Sequence, residues 1–184
     1  MSPRDVSDAQ RPIALSASDK SADPDADPES VARAIALRML ERQPRTRAEL
    51  ARGMARHGVP ADVAAAVLDR FTEVGLVDDE QFAAAWVDSR HTGRGLGRRA
   101  LSAELRRRGV DEQVLRAAVD TISADDEEAA ARALVERRLR SVASAPRDAQ
   151  IRRLTGMLAR KGFSPGLAMS VVREALSAQP ERAG

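Results

Sequence analysis

Few side chains in this chain could carry covalent chemistry. Histidine occurs twice, at His57 and His91, and cysteine is absent. The lack of cysteine excludes disulfides, thiolate zinc sites and cysteine nucleophiles together, and nothing asks for an oxidising compartment. The two histidines have no HExxH spacing and no cysteine to complete a metal site, so neither metal nor cofactor is expected. His57 reads instead as a cation near a helix end. The run Gly93-Arg94-Gly95-Leu96-Gly97-Arg98-Arg99 has the glycines of a phosphate loop, but it lacks the GK[ST] ending and follows a helical stretch. It reads as a flexible joint between two helices. Asp125-Asp126-Glu127-Glu128 opens a helix, where carboxylates favour the positive end of the dipole. No catalytic constellation assembles, and the chain reads as a non-enzyme.

Charge is the remaining chemistry, and it lies in the arginines. Lys20 and Lys161 are the only lysines among 30 basic residues, and 28 acids leave a net charge of +2. Heavy Arg and Ala use can follow from a GC-rich genome, so composition alone does not establish nucleic-acid binding. A uniformly basic DNA-coating protein is excluded. The distribution says more than the total. Residues 1–29 carry seven acids against three basic residues, which leaves the body from 30 to 184 at +6. Along that body the net charge runs −6 over 62–88, +6 over 90–108, −6 over 111–128 and +7 over 132–161. Two basic blocks predict two patches for phosphates or acidic protein surfaces. The first is Arg94, Arg98, Arg99, Arg106, Arg107 and Arg108; the second is Arg137, Arg138, Arg140, Arg152, Arg153, Arg160 and Lys161. The acidic blocks pair with a partner's basic surface or with the chain's own next repeat.

These residues must be positioned by helices. No run of alternating β-branched residues occurs, and Phe71, Phe82, Trp86 and Phe163 are the whole aromatic content. An interior of Ala, Leu, Val and Met suits closely packed helices, and rows of base-stacking aromatics are excluded. Residues 1–29, acidic and proline-containing, read as a disordered tail with a brief apolar patch at Ile13-Ala14-Leu15. Ser30 is a candidate cap for the first helix, which ends before Pro44. Thr46-Arg47-Ala48-Glu49 is a capping box for a second helix that closes at Gly58. A third starts at Pro60 and stops at Gly75, and Asp78 offers the next cap.

Self-similarity fixes the architecture. Gly58, Gly109 and Gly162 align, with Leu50, Leu101 and Leu154 eight residues before them and Met54, Leu105 and Leu158 four before. Ten residues after them stand Leu68, Val119 and Val172. A further helix precedes each unit, at about 30–43, 79–92 and 127–141. The fold class is all-α: three tandem three-helix repeats, 30–77, 78–124 and 125–179, forming an elongated curved body, with 180–184 a disordered C-terminus. Leu101, Leu105, Val114, Phe82 and Trp86 are expected in the core. With no stretch of 18 apolar residues and no apolar leader, the chain is expected to be soluble, cytoplasmic and monomeric.

A helix-turn-helix reading competes over Arg47 to Val77, which would place the helix from Ala61 to Phe71 in a DNA groove. That helix carries Arg70 as its only basic residue, and no strand pair follows to make a wing. Gly75-Leu76-Val77-Asp78-Asp79-Glu80-Gln81-Phe82-Ala83, followed by Trp86-Val87-Asp88-Ser89-Arg90, resembles a segment of the RecX family of RecA regulators. Gly97-Arg98-Arg99-Ala100-Leu101 through Glu104-Leu105 to Gly109-Val110 is similar to a second segment of that family. The resemblance spans residues 30–178. It implies a non-enzymatic regulator that lies in the groove of the RecA–single-stranded DNA filament and inhibits ATP hydrolysis, strand exchange and coprotease action. It also implies RecA and single-stranded DNA, with duplex DNA a further option, as the partners of the two arginine sets. The competing class is a helical DNA-binding protein or transcription factor acting on nucleic acid alone.

Overall fold

The computed structural model describes residues 27–178, and these form nine α-helices and no strand. The first repeat comprises α1 (Pro28–Arg42), α2 (Arg47–Arg56) and α3 (Ala61–Glu73). The second holds α4 (Asp79–Arg94), α5 (Arg98–Arg108) and α6 (Glu112–Asp120), and the third α7 (Ala124–Val142), α8 (Arg147–Arg160) and α9 (Pro165–Ser177). Residues 1–26 and 179–184, with the patch at Ile13-Ala14-Leu15, lie outside the described residues.

The caps explain where the helices begin. Asp27, not Ser30, caps α1: its carboxylate accepts from the Glu29 and Ser30 N–H groups, and Pro28 occupies the first turn where its missing N–H costs nothing. Pro28 and Glu29 therefore belong to the helix and not to the tail. Thr46 and Glu49 form the expected reciprocal capping box of α2. Asp78 caps α4 through the Gln81 N–H, and Ser123 starts α7 by accepting from Asp126 N. Gly58, Gly109 and Gly162 all hold left-handed φ, at 78°, 84° and 88°, as helix-ending glycines do.

Each repeat buries its own core. Leu50, Leu101 and Leu154, and Met54, Leu105 and Leu158 below them, are fully enclosed at 0% exposure. Three separate clusters result, spanning Ala32 to Val77, Phe82 to Ile122 and Ala131 to Leu176. Phe82, Leu101 and Leu105 sit in the core as expected, whereas Trp86 and Val114 are half-buried at its edge. Trp86 stays at the edge because its ring N–H needs a partner, which it finds in Glu104 Oε2 at 2.9 Å.

Successive repeats join end to end through their second helices. The C-terminus of α5 meets the N-terminus of α2: Thr46 Oγ1 donates to Arg108 O (2.8 Å), and Arg52 donates to the same carbonyl at 3.0 Å. The C-terminus of α8 meets the N-terminus of α5 in the same way, with Gly97 N donating to Lys161 O (2.8 Å) and Arg99 N to Gly162 O (3.2 Å). The helix from Asp79 runs on through Gly93 to Arg94 and leaves only Gly95-Leu96-Gly97 between helices. The expected flexible joint is therefore a closed contact, because Gly97 lets the Gly162 carbonyl approach where a Cβ would lie 2.7 Å away.

Asp79 adds a pH-sensitive contact to the first joint. Its carboxylate accepts from Arg47 N at 2.9 Å. Burial first, and then the Asp78 and Glu49 charges, raise its pKa above the ordinary 3.8 against that hydrogen bond and the Arg47 charge. A raised carboxyl holds its proton more tightly folded than unfolded. This contribution to stability therefore falls as pH climbs from 3.8 through the raised value, and the deficit persists at neutral pH. Asp79→Asn keeps an acceptor without the charge. Thermal melts at pH 7 should show an equal or slightly higher Tm, with the gain absent below pH 4; a clear drop at pH 7 would show that the charged acceptor matters more than its desolvation.

Candidate functional site

The six arginines of the middle block divide by partner. Arg98 opens α5 with its guanidinium 2.9 Å from Asp120 Oδ1, and its backbone N–H donates to Glu127 Oε1 at 3.0 Å. Arg106 makes two hydrogen bonds to Glu112, at 2.9 and 2.6 Å, and the same bond holds the Glu112 carboxyl below its ordinary range. Arg108 bridges repeats: it donates to Glu49 Oε1 at 2.8 Å and lies 3.8 Å above the Trp86 ring. Arg90 lies over the same ring at 4.0 Å, so two guanidiniums contact the Trp86 ring. Arg94, Arg99 and Arg107 have exposed side chains and enter no ion pair among the described residues.

This division is testable by stability. Arg98→Glu sets a third carboxylate beside Asp120 and Glu127 and should cost about 1 kcal/mol or more, whereas Arg99→Glu should stay within about 0.5 kcal/mol of wild type. Urea titrations of the two single variants separate them; equal midpoints would show that the Arg98 contacts carry no weight.

The second set is freer. Arg137, Arg138 and Arg140 project from α7 and Arg152, Arg153 and Arg160 from α8, all exposed and none in an ion pair among the described residues. Arg138, Arg152, Arg153 and Arg160 line one groove between these helices, with Ser141, Val142 and Met157 completing it. Helical spacing accounts for the gathering. Arg152 and Arg153 lie two turns before Arg160 on one face, and Arg138 reaches that face from the neighbouring helix. Glu136 lies on other faces of α7, beside Arg132 and against α9. Among the described residues no carboxylate lines the groove, and the one hydroxyl there, Ser141 Oγ, donates to Arg138 O at 2.8 Å. Four guanidiniums with no ion-pair partner among the described residues can bind phosphate or carboxylate oxygens.

The rest of the set lies elsewhere. Arg137 and Lys161 line the cleft between α4 and α7 with Arg94, His91, Asp88 and Asp126, and Lys161 Nζ donates to Arg94 O at 2.7 Å. Arg140 lines neither opening. Sequence reasoning missed the groove between the first two repeats, where Leu40, Pro44, Leu76, Phe82 and Trp86 give an apolar wall beside Arg90. Leu76 is 50% exposed there, and its signal was an apolar residue held between two turn elements at Gly75 and Asp78. Among the described residues, no group of three or more His, Asp or Glu side chains could hold a metal ion, and no helix is long and apolar enough to cross a membrane.

Comparison with known proteins matches this division into repeats. The family models described as the first, second and third three-helix domains of RecX match residues 32–71, 78–119 and 125–172. A regulatory protein RecX of Thermobifida fusca (strain YX) is 61% identical over 148 residues, covering 80% of each chain. That of Streptomyces coelicolor is 50% identical over 159 residues, 86% of this chain and 85% of its relative. The crystal structure of RecX from Lactobacillus salivarius superposes with a TM-score of 0.74 at 19% identity, covering 80% of this chain and 96% of the other. That likeness is one of fold.

Proposed function

This chain belongs to the RecX family of regulatory proteins, and on that premise we propose that it regulates a RecA recombinase by binding the filament RecA forms on single-stranded DNA. It acts there as an inhibitor of ATP hydrolysis, strand exchange and coprotease activity, in the cytoplasm, as a monomer and without catalysis of its own. The observation that supports this reading best is the α7–α8 groove, whose Arg138, Arg152, Arg153 and Arg160 meet no carboxylate among the described residues. These residues contact phosphates of the filament DNA. Arg94, Arg99 and Arg107, exposed on the second repeat, contact the filament at a separate point. Several weak contacts spread over two repeats then act together, because the second engages at high effective concentration once the first has formed.

Binding DNA alone through a recognition helix has less behind it. The helix that would enter the groove, α3, carries a single basic residue, Arg70. The deciding experiment is RecA ATP hydrolysis on single-stranded DNA with increasing amounts of this protein. A dose-dependent fall in rate is expected, and unchanged rate and filament length would overturn the proposal.

A further inference from the structure

Two joints in this array use one geometry, and the geometry is available a third time. In each joint the αL glycine that ends a second helix seats against the N-terminal turn of the preceding repeat's second helix. A Cβ on Gly109 would fall 2.4 Å from Ala48 Cβ, and one on Gly162 would fall 2.3 Å from Ala100 N. The carbonyls beside these glycines accept hydrogen bonds across the joint: Arg107 and Arg108 from Arg52 and Thr46, Lys161 and Gly162 from Gly97 and Arg99. The negative end of one helix dipole thus meets the positive end of the next.

Gly58 holds the same place in the first repeat, with φ +78°, yet a Cβ there meets nothing within 4 Å among the described residues. The Arg56 and His57 carbonyls, equivalent to those of Arg107 and Arg108, accept no hydrogen bond from another repeat. The opposite end of the array is closed. Thr46 and Gly97 cap α2 and α5 twelve residues before their glycines, but α8 begins earlier, at Arg147, and Gln150 stands at that position. Gln150 is buried and donates to Ala143 O and Ala145 O, so the α7–α8 turn fills the place where a further repeat would seat. A second copy of this chain therefore has no matching end to offer.

We infer that the Arg56–His57–Gly58 end of α2 is a docking face for the N-terminus of an α-helix on a partner protein, one carrying an alanine-sized residue in its first turn. Both internal joints present Ala at that point, Ala48 and Ala100, and both supply donors from the helix start. Resting on the proposed function, the partner helix belongs to the recombinase in its filament.

Asparagine tolerates left-handed φ, so Gly58→Asn keeps the backbone and fills the face. Gly75→Asn is the matched control, with φ +72° and equally open space. Co-sedimentation of the full chain with RecA filaments on single-stranded DNA should show at least tenfold weaker binding for Gly58→Asn and no more than a twofold change for Gly75→Asn. Equal binding by the two variants overturns the inference alone. A wild-type chain that does not sediment overturns the proposed function and this inference together. Should Gly58→Asn not fold, His57→Cys gives a single thiol in a cysteine-free chain. Binding near wild type before maleimide labelling and lost after it supports the face; binding unaffected by the label overturns it. Protection of that thiol in the free protein, relieved by deleting residues 1–26, would assign the face to the chain's own N-terminal segment, and a concentration-dependent dimer would assign it to a second copy. Either result overturns the inference.

Discussion

Gly162→Ala should destabilise the protein by about 4 kcal/mol, and the loss should fall on the joint between the second and third repeats. Two costs combine at this residue. An L-residue at φ +88° costs about 1–2 kcal/mol. A Cβ placed 2.3 Å from Ala100 N and 2.4 Å from Ala100 Cβ adds an overpacking cost of about 1–3 kcal/mol, because one of the atoms it meets is backbone and cannot rotate aside. Related substitutions isolate each part. Gly58→Ala meets open space at φ +78° and should lose only the conformational share, about 1–2 kcal/mol. Gly97 has an ordinary φ of −79°, but its Cβ would lie 2.7 Å from Gly162 O, so Gly97→Ala should lose only the packing share, about 1–3 kcal/mol. Urea unfolding of the three variants checks the ordering. Because each repeat has its own core and the joint couples it to its neighbour, Gly162→Ala should also broaden the transition as the third repeat uncouples. A Gly162→Ala midpoint no lower than that of Gly58→Ala would mean that the repeats are not locked there.

What could be read from the sequence was what depends on local spacing. Leu50, Leu101 and Leu154 recur at a fixed offset from a helix-ending glycine, and each occupies the centre of its own core. The αL glycines and the Thr46 capping box are likewise set by residues within one or two turns. The joints were not legible, because a glycine's sequence neighbours do not say which distant carbonyl approaches it. Gly97 and Gly162 read as loop and cap respectively, and their mutual contact appears only in three dimensions. The same limit governs the arginines. Summing charge over 90–108 found a basic block, but Arg98 meets Asp120, Arg106 meets Glu112 and Arg108 meets Glu49, two of them in the acidic block that follows and one in the repeat before. Part of the alternation in charge is the chain neutralising itself, but the Arg98 and Arg106 pairs close within the second repeat and Glu49 lies outside the acidic blocks, so none of the three is the expected pairing of an acidic block with the next repeat. A block sum cannot tell a cation spent on its own fold from one left for a partner.

That distinction makes the α7–α8 groove the place where charge removal should act on binding with little effect on folding. Replacing Arg138, Arg152, Arg153 and Arg160 together by alanine removes four guanidiniums that hold no carboxylate among the described residues, so each should change stability by no more than about 0.5 kcal/mol. Their effect on nucleic-acid binding should be large and should carry the mark of phosphate contact. Each single-strand phosphate neutralised contributes about −0.7 to the slope of log affinity against log salt, so four contacts contribute nearly −3. Between 50 and 200 mM salt, the affinity advantage of wild type over the quadruple variant should shrink by about 50-fold. The measurement is binding to labelled single-stranded DNA, with and without RecA, over that salt range. An unchanged slope would remove the groove from the nucleic-acid interface. A lower slope on free DNA with unaltered binding to filaments would place the groove on DNA and leave the second repeat and the open end of α2 to hold the protein.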